Sequence, residues 1–346
     1  MAGGAYGILL YGTTGTLSNL AGGRIVGTTT DAIYVGSGTV TTLSNAGTIA
    51  AGRYGVEVLN GATISTLSNT GLIDASDRGI QTEGGATLST LTNSGTVQGT
   101  SYGMLLAGTS GTISNLAGGR IAGTADDAVY VSGNVTSLSN AGTFAGGSGS
   151  GDAGVQFVTS GTVGTLTNSG NITGFRGVEM LGSSGLGSLV NSGTISGVAS
   201  GVYTESSNPL TSLVNAGRIE GATAGFDITA GGLKSIANTG TIAYTGAGTG
   251  PAIRVGSGDY LGDATGASGP ALTSTGAGAL IDGTIVNSGT VFHGFQIENQ
   301  DVTVSADGAA GIFTSGTLNV VNGNLTTTSG TITLDAAISV NGGTGT

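Results

Sequence analysis

Apolar and polar positions alternate along this chain in bursts of three or four residues, and glycine closes most of them. The bursts come in sets of three. Gly55-Val56-Glu57-Val58, Gly79-Ile80-Gln81-Thr82 and Gly177-Val178-Glu179-Met180 open a set with a small residue and then alternate. Thr42-Leu43-Ser44-Asn45 exemplifies the second burst, and Gly47-Thr48-Ile49, Gly71-Leu72-Ile73 and Gly193-Thr194-Ile195 the third. A period of two over so few residues, bounded by Gly, predicts short strands, and no segment sustains a helical period.

The sets recur. Asn19, Asn45, Asn69, Asn93, Asn115, Asn140, Asn168, Asn191, Asn215 and Asn238 each follow an aliphatic residue by two positions, at spacings of 22 to 28 residues, and Asn287 resumes the pattern after a gap of 49. A longer duplication lies on top: AYGILL around Tyr6 returns as SYGMLL around Tyr102, 96 residues on, and LSNLAGGRI returns as ISNLAGGRI. One such coil cannot bury its apolar residues alone, whereas stacked coils place equivalent strands about 4.8 Å apart and make one continuous core. The expected fold is all-β, a right-handed parallel β-helix (a solenoid) with three-strand coils of about 24 residues; the hand rests on the general crossover rule. Residues 1–290 are expected to form the regular coils, with 244–286 a disturbed coil or insertion. Residues 291–346 are expected to be degenerate coils or a transition to a further region.

Composition changes this picture in three ways. Glycine accounts for 71 of 346 residues and only 8% are charged, but the 38% that are hydrophobic keep fixed positions, which sets the chain apart from disordered low-complexity sequence. The net charge of -11 argues against nucleic acid and anionic membrane surfaces as partners. The absence of cysteine removes disulfides and thiolate metal sites. MAGGAYGILLYG lacks a basic segment and a long apolar run, so any export signal is expected outside this chain.

The recurring SNAGTI, TNSGTV and VNSGTI phrases on Gly-rich coils resemble the passenger regions of Gram-negative autotransporters, in particular their adhesins. The resemblance covers roughly residues 5–290. It implies display on the cell surface or secretion beyond the outer membrane, export by a C-terminal outer-membrane barrel that this chain does not include, and roles in adhesion, self-aggregation and biofilm growth. The phrases describe coil geometry more than a binding specificity.

Candidate chemistry is sparse along the chain. Each Asn of the ladder shares a strand face with the aliphatic residue two before it, so these side chains are expected to point inward and bond to one another. Asp126-Asp127, and Asp31 in the matching coil, fall at corners where Asp favours turns, and are expected to be solvated. His293 has no partner for a catalytic arrangement. Gly146-Gly147-Ser148-Gly149-Ser150-Gly151-Asp152 faintly resembles a calcium-binding nonapeptide, but its Asp comes one residue late and nothing repeats it. No metal and no cofactor is therefore assigned, and the chain is expected not to be an enzyme.

Two outer columns remain. Pleat alternation puts Tyr34, Glu57, Gln81, Tyr130, Gln156, Glu179, Tyr203, Asp227 and Arg254 on one exposed stripe of mixed aromatic and polar character, suited to protein or carbohydrate contacts. Thr16/Ser18, Thr42/Ser44, Thr66/Ser68, Thr90/Thr92, Thr112/Ser114 and Thr165/Thr167 point outward as a regular hydroxyl array. The leading expectation is a non-enzymatic adhesin or self-association segment whose partner is another copy of itself, or a host-cell protein or glycan. Two alternatives stand beside it. One is a polysaccharide-active enzyme with a site in residues 244–300, around Asp259, Tyr260, Asp263, Asp282 and His293; the other is a passive stalk.

Overall fold

The computed structural model describes residues 5–208, 210–248, 250–257, 259–261, 271–275, 280–282, 284–287, 290–298, 300, 302–305, 311–321, 325–327 and 332–341. It is an all-β parallel β-helix with turns of about 24 residues. The chain divides into two compact units, Met1–Phe175 and Arg176–Thr346.

In the first unit each coil contributes one strand to each of three columns. The coil after the second Asn illustrates it, with strands Tyr54–Val58, Thr63–Asn69 and Leu72–Ala75. Every strand pairs in parallel with its equivalents in neighbouring coils: Val56 lies between Ile33 and Ile80, Leu67 between Leu43 and Leu91, and Ile73 between Ile49 and Val97. This coil fully buries Val56, Val58, Ile64, Leu67 and Ile73. Burial of such side chains contributes about 1.5–3 kcal/mol apiece, set against the ordering entropy of a Gly-rich chain.

Glycine is required where coils come closest. A Cβ at Gly79 would sit 2.6 Å from the Gly103 carbonyl oxygen and 2.7 Å from Val97 Cγ1. At Gly71 it would strike the Ala46 carbonyl carbon at 2.8 Å. The glycines that open the first and third strands are therefore what lets the backbone stack at strand spacing.

The second unit repeats the arrangement with longer strands. Thr194–Ser206 carries a third and a first strand without interruption and pairs in parallel with Arg218–Gly221 and Ala224–Ala230. Parallel pairing continues through Thr290–Glu298, Gly311–Val321 and Ile332–Asn341.

Candidate functional site

The Asn column is internal. In the first unit the Nδ2 of each residue donates to the Oδ1 of the next, from Asn19 through Asn45, Asn69, Asn93, Asn115 and Asn140 to Asn168, at 2.7–2.8 Å. The same nitrogens also donate to backbone carbonyls of the following coil, as Asn45 does to Leu72 at 3.1 Å. In the second unit Asn191, Asn215 and Asn238 continue this pattern at 2.7 Å, and Asn238 ends on the Ser274 hydroxyl at 3.2 Å. All of these Asn side chains are buried, so every amide that the stack removes from water is given a partner. Asn287 lies in the strand Thr284–Asn287, but its side chain falls outside the described residues.

The stripe expected to be exposed is largely covered. Glu57, Gln81, Gln156, Glu179 and Asp227 are buried, while Tyr34, Tyr130, Tyr203 and Arg254 are half-buried. Pleat alternation does turn them away from the core. Side chains just before the opening glycine then fold back over them. Arg53 reaches Glu57 at 3.0 Å, and Arg78 and Arg176 bond Gln81 and Glu179 in the same manner. Tyr6 meets Tyr34 edge-on with ring centroids 5.2 Å apart, and Tyr102 meets Tyr130 at 4.9 Å. Guanidinium planes fill the spaces between the rings: Arg53 lies 4.2 Å from the Tyr54 centroid, and Arg78 lies 5.0 Å from Tyr54 and 5.5 Å from Tyr102. In the second unit Arg176 covers Tyr203 at 3.4 Å, and Arg254 donates to Asp227 at 2.9 Å. These groups largely satisfy one another, which leaves little of the stripe for a ligand.

Two of the corner carboxylates are buried as well. Asp31 and Asp127, expected to be solvated, have no exposed surface. Asp31 accepts from Arg53 Nε and Nη2, both at 2.9 Å, and from the Tyr54 amide at 3.3 Å. Burial, and next the neighbouring Asp31, push Glu57 up to about 8 despite the opposing pull of Arg53. The glycine-rich corner is closed locally, since the Gly149 amide donates to Asp152 Oδ2 at 2.7 Å. Among the described residues no three acidic, histidine or cysteine side chains are grouped to hold a metal ion.

Of the residues considered for carbohydrate chemistry, Asp259 is buried, with its carboxyl pushed up by burial and by Asp227, and Asp282 is exposed. Asp263 and the side chains of Tyr260 and His293 lie outside the described residues.

Among the described residues, a groove and a strand face stand open to solvent. The groove is shallow, about 530 Å³, and lies between the third-strand face and the corner, lined by Val26, Thr28, Ala50, Asp74, Ser76 and Thr100 among others. The strand face is the outer side of the second-strand column in the first unit. There Thr16, Thr42, Thr66, Thr90, Thr112, Ser137 and Thr165 stack in register, and so do Ser18, Ser44, Ser68, Thr92, Ser114, Ser139 and Thr167. Each is half-exposed or exposed, and among the described residues none gives its hydroxyl to a hydrogen bond within the fold. In the second unit the second of these columns turns apolar, with Val190 beside Val214. Comparison with protein-family models, with curated proteins and with solved structures finds no match for this chain.

Proposed function

We propose that the chain is a non-enzymatic binding segment of an autotransporter passenger, of adhesin type, displayed at or released from the Gram-negative outer membrane. Its partner on this reading is another copy of itself, or a host-cell protein or glycan, and its contact is made by a repeated face. The observation that carries the proposal is the pair of hydroxyl columns. They run without a break through seven successive coils of the first unit, and among the described residues none of their hydroxyls enters a hydrogen bond within the fold. A face of identical weak contacts at strand spacing gains strength by number, so avidity replaces affinity at any one place.

The test uses beads coated with the purified chain, scored for clumping with one another and for capture on host cells and glycan arrays. The triple variant Ser44→Arg, Ser68→Arg, Thr92→Arg places three like charges on that face and is expected to abolish clumping or capture while the circular dichroism stays that of a β-protein. Undiminished binding by this variant would remove the face from the reading. Beads inert in every arm would leave the passive stalk, and degradation of an acidic glycan would establish the enzyme.

A further inference from the structure

The internal duplication sets two buried carboxylates in the same place with opposite surroundings. Asp31 and Asp127 are 96 positions apart, and each accepts a hydrogen bond from the backbone amide that opens the next coil, Tyr54 for one and Ala153 for the other. The residue before that amide is Arg53 in the first case, and it clamps Asp31 with two nitrogens. In the second case it is Asp152, a like charge. Asp127 Oδ1 takes the Ala153 amide at 2.6 Å, while Oδ2 is buried without a hydrogen-bond partner.

The other groups around Asp127 do not replace the missing cation. Asp126 and Asp152 repel it, and Tyr102 of the preceding coil and Tyr130 of its own are phenols whose ionisation is opposed by burial and then by Asp126 and Asp127. Gln156 stands where the first copy has Glu57 and donates to the Gly151 carbonyl at 3.0 Å. Arg78, whose charge acts on Tyr130, is engaged by the Tyr54 and Tyr102 rings and by Gln81. An anion in such a place is costly, and a proton is the smallest counter-ion that can reach it.

We propose that Asp127 is a proton-operated latch on the corner formed by residues 146–152, holding it closed when neutral and releasing it when ionised. The corner is suited to this role. It is rich in glycine, residues 148–151 are exposed, and its closure depends on Asp152 Oδ2 holding the Gly149 amide and on the Asp126 carbonyl holding the Gly147 amide at 2.6 Å. Ionised Asp127 would add its charge to those of Asp126 and Asp152, and opening of the corner is the motion that carries Asp152 away. Burial first, then Asp126, push Asp127 up to about 8. A carboxyl raised in the folded state favours closure fully below its ordinary value of 3.8, and that contribution is lost as the pH rises through about 8.

Hydrogen exchange of the full chain, read by mass spectrometry and corrected for intrinsic rates, tests this. Protection of the amides in 146–153 is expected to fall by at least about tenfold between about pH 6 and about pH 9. Asp127→Asn is expected to hold that protection constant. Asp152→Arg rebuilds the clamp of the first copy at the loss of the Gly149 anchor, so its protection is expected to be lower but no longer to change with pH. Constant protection in the unsubstituted chain would overturn the proposal, and so would an undiminished pH response in both variants.

Discussion

Arg53 closes two nitrogens on Asp31 at 2.9 Å, and the same guanidinium reaches Glu57 at 3.0 Å. Two buried carboxylates thus share one cation, and one of them retains a proton near neutrality. Burial raises Glu57 from its ordinary 4.5 to about 8, so its contribution to stability is complete below about pH 4.5 and lost as the pH rises through about 8. Glu57→Gln is expected to reduce the fall in stability across that window, read as the urea midpoint against pH, and to leave the share that Asp127 carries. A midpoint that falls as steeply in the variant as in the unsubstituted chain would show that Glu57 carries none of the effect.

Asn93 accepts from Asn69 and donates to Asn115. Asn93→Ala leaves a donor on one side and an acceptor on the other, both buried, at a cost of about 1–3 kcal/mol for each. Asn93→Ser is expected to cost less, since Asn238 already bonds a serine hydroxyl in place of an amide. Urea midpoints of the two variants should fall in that order.

Gly71 and Gly84 are expected to answer the same substitution differently. A Cβ at Gly71 meets the backbone of the coil before it, while one at Gly84 finds nothing within 4 Å. Gly71→Ala should disrupt the local stack and expose it to limited proteolysis. Gly84→Ala should be neutral, or stabilise by up to about 1 kcal/mol through the unfolded chain.

Arg78 lies between the rings of Tyr54 and Tyr102 and also bonds Gln81. Arg78→Ala is expected to lower stability by about 1–3 kcal/mol, with Lys restoring only part because an ammonium cannot stack as a plane. Thermal unfolding, followed by tyrosine absorbance, would register both the loss and the partial rescue.

The repeat period, the strand positions and the inward face of Asn69 and its equivalents were legible because they follow from alternation and spacing. The covering of Glu57 and Glu179 was not. Parity tells which way a side chain leaves the sheet, and it is silent on what crosses over it afterwards. A signal was nevertheless present. Arg53, Arg78 and Arg176 stand just ahead of an opening glycine, each with a carboxylate or amide three or four residues later. On a strand that spacing carries no usual meaning, but a bend at the glycine brings the two ends together. Asp31 was misplaced for a related reason: a corner is usually wet, and its partner Arg53 comes 22 residues later, from the next coil.

The Asn ladder has one more consequence. From Asn19 to Asn168 the links run the same way, with the earlier coil donating and the later coil accepting. Each coil therefore presents buried amide hydrogens to its successor, beside the bonds the same nitrogens make to carbonyls of their own coil. Peeling one coil from the next leaves a buried donor on one side and a buried acceptor on the other. The ladder thus ties neighbouring coils together, so that they are expected to melt as a group and not one at a time.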